Sequence, residues 1–159
     1  MSFKSIELPS TVYEYLEGLS KKLNVSVQDL ITRFLINTLE HKEREEFLKK
    51  LSNEYLELGK RYEKSGDLVY AGELYWRGLA YLMQALAERL GFYIDNYQDY
   101  FSLIDYLAYK TNETELVKMF INAERLHGEY HPRPQGEQEF KFRVENLLKL
   151  FERLEKMLS

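Results

Sequence analysis

The 159-residue chain predicts an all-α protein: a four-helix up-and-down bundle over residues 46–159, preceded by an arm of one short strand and two helices over residues 1–45. Three observations carry that prediction. Apolar residues recur at spacings of three and four along most of the chain, the period of a helix that buries one face. Helix-stop and helix-start residues punctuate that pattern at Asn24, Gly66–Asp67 and the prolines of residues 132–134. Strict alternation, the signal of a strand, is confined to the first eight residues, where Lys4, Ile6 and Leu8 share one face and Phe3, Ser5 and Glu7 the other.

Pro9 ends the strand, and Ser10 or Thr11 is placed to cap a helix with the stripe Val12, Tyr15, Leu16, Leu19 and Leu23. Asn24 breaks it. Ser26 with Asp29 then reads as an S-x-x-D capping box ahead of a second stripe, Val27, Leu30, Ile31, Phe34, Leu35 and Leu39. The charge run HKEREE follows, and no strong breaker falls between Ser26 and Ser65, so this stretch reads equally as one long helix or two. Its apolar positions resume at Phe47, Leu48, Leu51, Tyr55, Leu58 and Tyr62. Gly66 supplies a left-handed stop, and Asp67 caps a helix reaching Gly91 with Ala71, Leu74, Tyr75, Leu79, Leu82, Leu86 and Leu90 inside. A short helix around 100–109 and a stripe of Leu116, Phe120 and Ala123 come next. Phe140, Val144, Leu147, Leu148, Phe151 and Leu154 form the closing helix.

Composition removes several function classes. The absence of cysteine excludes disulfides, thiolate catalysis and cysteine-based metal sites. A net charge of -4 lacks the positive field of a dedicated nucleic-acid coat. No apolar run long enough to span a bilayer and no export signal is apparent, so a cytoplasmic protein without membrane association is expected. Thirteen Tyr, abundant Lys and Glu and absent Cys suit a thermophile. Phosphate-binding loops, G-x-S-x-G and H-E-x-x-H are all missing, and no cofactor is expected.

The strand, helix, turn, helix order of the first 40 residues resembles the ribbon-helix-helix family, which implies an intertwined homodimer. In that family the outward strand positions read DNA; here those would be Phe3, Ser5 and Glu7, and Lys4 and Ser5 are the candidate DNA contacts. Glu7 would repel phosphates, and residues 1–45 hold 6 basic and 7 acidic side chains, a net of -1, so DNA binding is disfavoured. Tyr55, Leu58, Gly59, Tyr62, Ala71, Tyr75 and Gly78 resemble a single tetratricopeptide unit, which without neighbours to stack on reads as a plain helical hairpin. A longer resemblance spans residues 50–158: Gly66 with Asp67, Trp76 in an alanine-rich helix, and Ala123 with Leu126 and His127 are similar to marks of the archaeal PaREP family. The fold this implies is similar to the HEPN helical bundles, many of which act as non-catalytic modules beside nucleotidyltransferases.

Candidate chemistry gathers in ERLHGEYHPRP, residues 124–134. His titrates near neutrality and Arg clamps phosphate. HEPN ribonucleases carry an Arg, a short spacer and a His, and Arg125 with His131 matches that form with five residues between them. The resemblance implies metal-independent cleavage, the His moving protons and the Arg holding phosphate charge. Six positions along a helix point about 120° apart, so the two meet at one phosphate only where His131 has left the helix, which Pro132 favours. His127, Tyr130 and Arg133 are the candidate ligand contacts, and His127 also continues the stripe of Leu116, Phe120 and Ala123 as a core histidine. His127, His131 and Glu124 lack the further ligands a metal site requires, so none is expected. Residues 114–159 carry 8 basic and 8 acidic residues, a net of 0, so an anion site here would be local.

The expected function is a dimeric, non-catalytic binding or assembly module acting with a partner protein or a nucleotide-handling system. A ribonuclease or toxin-like component using Arg125 and His131, and a transcriptional regulator working through the N-terminal strand, are the alternatives.

Overall fold

The computed structural model describes residues 4–128 and 136–159. Their helices are α1 (Ser10–Leu23), α2 (Val27–Thr38), α3 (His41–Ser65), α4 (Leu68–Leu90), α5 (Tyr97–Thr111), α6 (Glu115–Glu124) and α7 (Glu137–Met157). The chain divides into two compact units, Met1–Arg44 and Glu45–Ser159. No described helix is long and apolar enough to cross a membrane.

In the first unit α1 and α2 pack on each other. The expected N-terminal strand is not there. Residues 4–9 form no regular secondary structure, and Lys4 and Ser5 are exposed on that irregular segment. Alternation supplies two-faced side chains but not the neighbouring ladder of N–H and C=O groups that makes a strand, and among the described residues none is provided. The ribbon-helix-helix expectation loses its ribbon on this ground. Asn24, at φ 52°, takes the left-handed turn between the helices, and the Ser26 hydroxyl accepts the Asp29 N–H at 3.0 Å, capping α2. At α1 the capping position falls to Pro9, and neither Ser10 nor Thr11 fills it. Residues 26–65 form two helices, because Leu39 adopts an extended backbone (φ −70°, ψ 144°) after α2. The Arg44 guanidinium donates to the Leu39 carbonyl at 2.8 Å, satisfying an acceptor the helix end leaves open.

Among the described residues the second unit contains α3 from Glu45 and all of α4–α7, five helices where a four-helix bundle was expected. The short helix expected around 100–109 is α5, and Asn112, with a left-handed backbone (φ 57°), closes it three residues before α6 begins. α4 is the central rod, with twelve buried residues from Ala71 to Ala87. It lies against α3 so closely that a Cβ on Gly78 would stand 3.0 Å from the Ser52 carbonyl oxygen and 3.1 Å from the Leu56 nitrogen. α7 packs against both α4 and α6, and α5 against α4 and α6. Gly66 (φ 88°) stops α3, and the Asp67 carboxylate accepts the Tyr70 N–H at 3.0 Å to start α4.

Candidate functional site

α4, α5 and the C-terminal end of α6 bring one polar and aromatic cluster together in the second unit. Glu73 and Trp76 lie three residues apart on α4 and so share a face. Trp76 is almost fully buried. Its ring is surrounded by Tyr97 at 5.8 Å and Tyr100 at 5.9 Å from α5, Phe120 at 6.0 Å from α6, and His127 at 5.4 Å. The His127 and Trp76 planes are 12° apart, a stacked pair, whereas the other three meet the indole tilted or edge-on.

Polar contacts fix the arrangement. The Tyr97 hydroxyl donates to the carboxylate of Glu124, which is buried at the end of α6. Gln84 Nε2 donates to the Tyr100 hydroxyl oxygen at 2.7 Å; burial pushes the Tyr100 hydroxyl pKa up, against the opposing effect of that bond. Glu73 holds the chain just past α6 with both oxygens: Oε1 accepts the Gly128 N–H, and Oε2 lies 3.2 Å from His127 Nδ1. Leu126 is completely buried, and its carbonyl oxygen lies 3.2 Å from where a Cβ on Gly72 would stand, so α4 offers a glycine where the turn crosses it. From α7, Arg143 Nη1 donates to the Arg125 carbonyl at 3.4 Å while Nη2 pairs with Glu139.

Of the residues singled out from sequence, His127 lies in this cluster. Arg125 follows α6 as its exposed C-terminal cap. Tyr130, His131 and Arg133 lie outside the described residues, as does any meeting of Arg125 with His131. Leu116, Phe120 and Ala123 are buried as the stripe predicts, but α6 ends at Glu124, so His127 sits beyond the helix. Its Nδ1 lies 3.2 Å from the Glu73 carboxylate. Sequence reasoning missed Glu73 as a site residue. Its signal was a carboxylate inside the buried run Ala71–Gly72 and Leu74–Tyr75–Trp76, where an unpartnered charge is costly. Among the described residues no group of three or more His, Cys, Asp or Glu could hold a metal ion.

An α-helical unit whose central rod carries a tryptophan under a histidine corner defines the structural class. The chain belongs to the archaeal PaREP1/PaREP8 family, whose model matches residues 47–151 and so includes Glu73, Trp76, Glu124 and His127. No curated protein and no solved structure matches it.

Proposed function

We propose that the protein is a homodimeric, non-catalytic binding and assembly module of the HEPN-like kind, which meets a partner protein or a nucleotide-handling system through the corner at residues 125–133. The observation that supports assembly is the apolar surface of the first unit. α1 buries none of its residues: Val12, Tyr15, Leu19 and Leu23 are exposed, Tyr15 at 75%, and on α2 Phe34 is 53% exposed beside Leu35. A unit of this size is near the limit of what folds alone, and pairing with a second copy would cover such a surface. At the corner, the Glu73, Leu126 and Arg143 contacts give residues 125–128 a fixed mount.

Light scattering on the full chain tests the assembly reading. The expected mass is twice the 19.1 kDa chain, falling to a monomer in Tyr15→Glu/Leu19→Glu. A monomer at all concentrations overturns it. RNA cleavage in EDTA that His131→Ala abolishes, with the fold retained, overturns the non-catalytic part and favours the ribonuclease.

A further inference from the structure

We propose that the outer ridge of α5, with the turn that leads into it from α4, is a docking surface for a cationic segment of a partner protein, an arginine or lysine side chain being taken by Tyr109 and Asp105. Tyr109 comes about 18 Å further along α5 than Tyr97, at 1.5 Å per residue, so this surface is separate from the His127 corner. It rests neither on that corner nor on the apolar face of the first unit.

Two of the chain's aromatic side chains stand almost wholly in water here. Tyr93, in the turn after α4, is 82% exposed, and Tyr109, near the end of α5, is 88% exposed. They do not stand alone. Phe92, itself partly exposed next to Tyr93, rests on Tyr106 of α5 with ring centroids 4.7 Å apart, so the turn is laid against the helix. Tyr106 and Tyr109 are three residues apart on α5, and Asp105 and Tyr109 four, so both pairs are neighbours on the helix surface. A run of exposed aromatic surface of this kind marks a contact site more than a scattered single residue does.

Charge selects the occupant. Between Gly91 and Asn112 the chain carries Asp95, Asp99 and Asp105 against one cation, Lys110, three against one and a net of -2. Asp95 and Asp105 are exposed, and Lys110 lies about 100° round the helix from Tyr109. Just before the turn, Arg89 is paired with Glu45, its Nη2 2.6 Å and its Nε 3.4 Å from the two carboxylate oxygens. A second copy of this surface, or a nucleic-acid backbone, would bring like charge to like. A basic segment brings the opposite charge, and arginine and lysine are also the side chains that the face of an aromatic ring attracts. A guanidinium over the Tyr109 ring would have the Asp105 carboxylate one helical turn away.

Fluorescence anisotropy of a labelled peptide of alternating arginine and leucine, titrated with the full chain, tests this, with a peptide of alternating glutamate and leucine as its counterpart. The arginine peptide should bind at low salt, weaken as salt rises, and shift the amide signals of residues 92–95 and 105–109 in the ¹⁵N-labelled chain. The glutamate peptide should not bind. Tyr93→Ala/Tyr109→Ala keeps every charge and changes two exposed positions, and it should weaken binding about tenfold because the rings hold the cation. Asp105→Asn should weaken it several-fold. Equal affinity in the tyrosine variant would mean attraction to net charge alone and overturns the proposal, as does binding of the glutamate peptide or of neither peptide. Amide signals at the same residues that move with protein concentration in the absence of peptide would place a second copy on this surface and overturn it too. Each of these failures leaves the assembly reading standing, and a monomer in light scattering leaves this surface standing.

Discussion

The imidazole of His127 lies flat on the indole of Trp76, ring centroids 5.4 Å apart, and so ties the exit of α6 to the middle of α4. Stacked aromatic pairs contribute roughly 0.5–1.5 kcal/mol beyond the area they bury. Trp76 is the chain's single tryptophan, which makes its emission a direct report on this contact. His127→Ala should change the intensity and wavelength of that emission and lower stability by about 1–2 kcal/mol, the stack and the Glu73 contact being lost together. Emission and urea midpoint identical to the parent would show that the ring does not rest on Trp76 in solution.

Leu126, beside it, has no exposed surface. Truncating a buried leucine costs about 2–5 kcal/mol, depending on how far the site collapses. Leu126→Ala should fall in that range by denaturant unfolding and should accelerate hydrogen exchange at the Gly128 amide, since Leu126 holds the chain that delivers this N–H to Glu73. A cost below about 1 kcal/mol would mean the turn is not anchored through this side chain.

Much of the second unit was legible because its helices are delimited by residues whose backbone chemistry is local. Gly66 and Asp67 act as a stop and a cap through their own φ angle and carboxylate, and the stripe through Leu116, Phe120 and Ala123 needs only the helical period. The N-terminal strand failed for the opposite reason. Alternation from Lys4 to Leu8 is a local property, whereas a strand exists only by pairing, and the described residues supply no partner. The break at Leu39 was hidden because leucine carries no breaker signal; only the extended backbone and the Arg44 bond reveal it. The candidate site was half visible. His127 was found by residue type, but Glu73 lies 54 positions away, and no spacing rule connects them.

Gly78 lets α3 and α4 approach until a side chain has no room. Gly78→Ala would place its Cβ 3.0 Å from the Ser52 carbonyl oxygen, and since the obstacle is backbone, the helices themselves must part. Overpacking of this kind costs about 1–3 kcal/mol, more than the roughly 1 kcal/mol alanine gains over glycine in helix propensity. The melting temperature should fall. Gly18 in α1 is the matched control: a Cβ there meets nothing within 4 Å, so Gly18→Ala should leave stability unchanged or raise it. Equal melting shifts for the two variants would refute the close approach.

Ionisable groups set opposite limits to the pH range of stability. On the acid side, the backbone N–H groups of Asn96 and Asp95 hold the Asp99 carboxyl below its ordinary range, and the Arg153 guanidinium does the same for Glu113. Each is lower in the folded chain than in the unfolded one, so its contribution is present above about pH 4–5 and is lost as pH falls through the folded value. On the alkaline side, burial and then the hydrogen bond to Glu63 push the Tyr75 hydroxyl far up. Its contribution is complete below the ordinary tyrosine value of about 10 and declines above it, because only the unfolded chain releases that proton readily. Melting temperatures should therefore drop below about pH 4 and above about pH 10. Asp99→Asn should flatten the acid limb while leaving the alkaline one alone, and Tyr75→Phe should flatten the alkaline limb. An acid limb that is equally steep in Asp99→Asn would show that the α5 capping box contributes nothing to it.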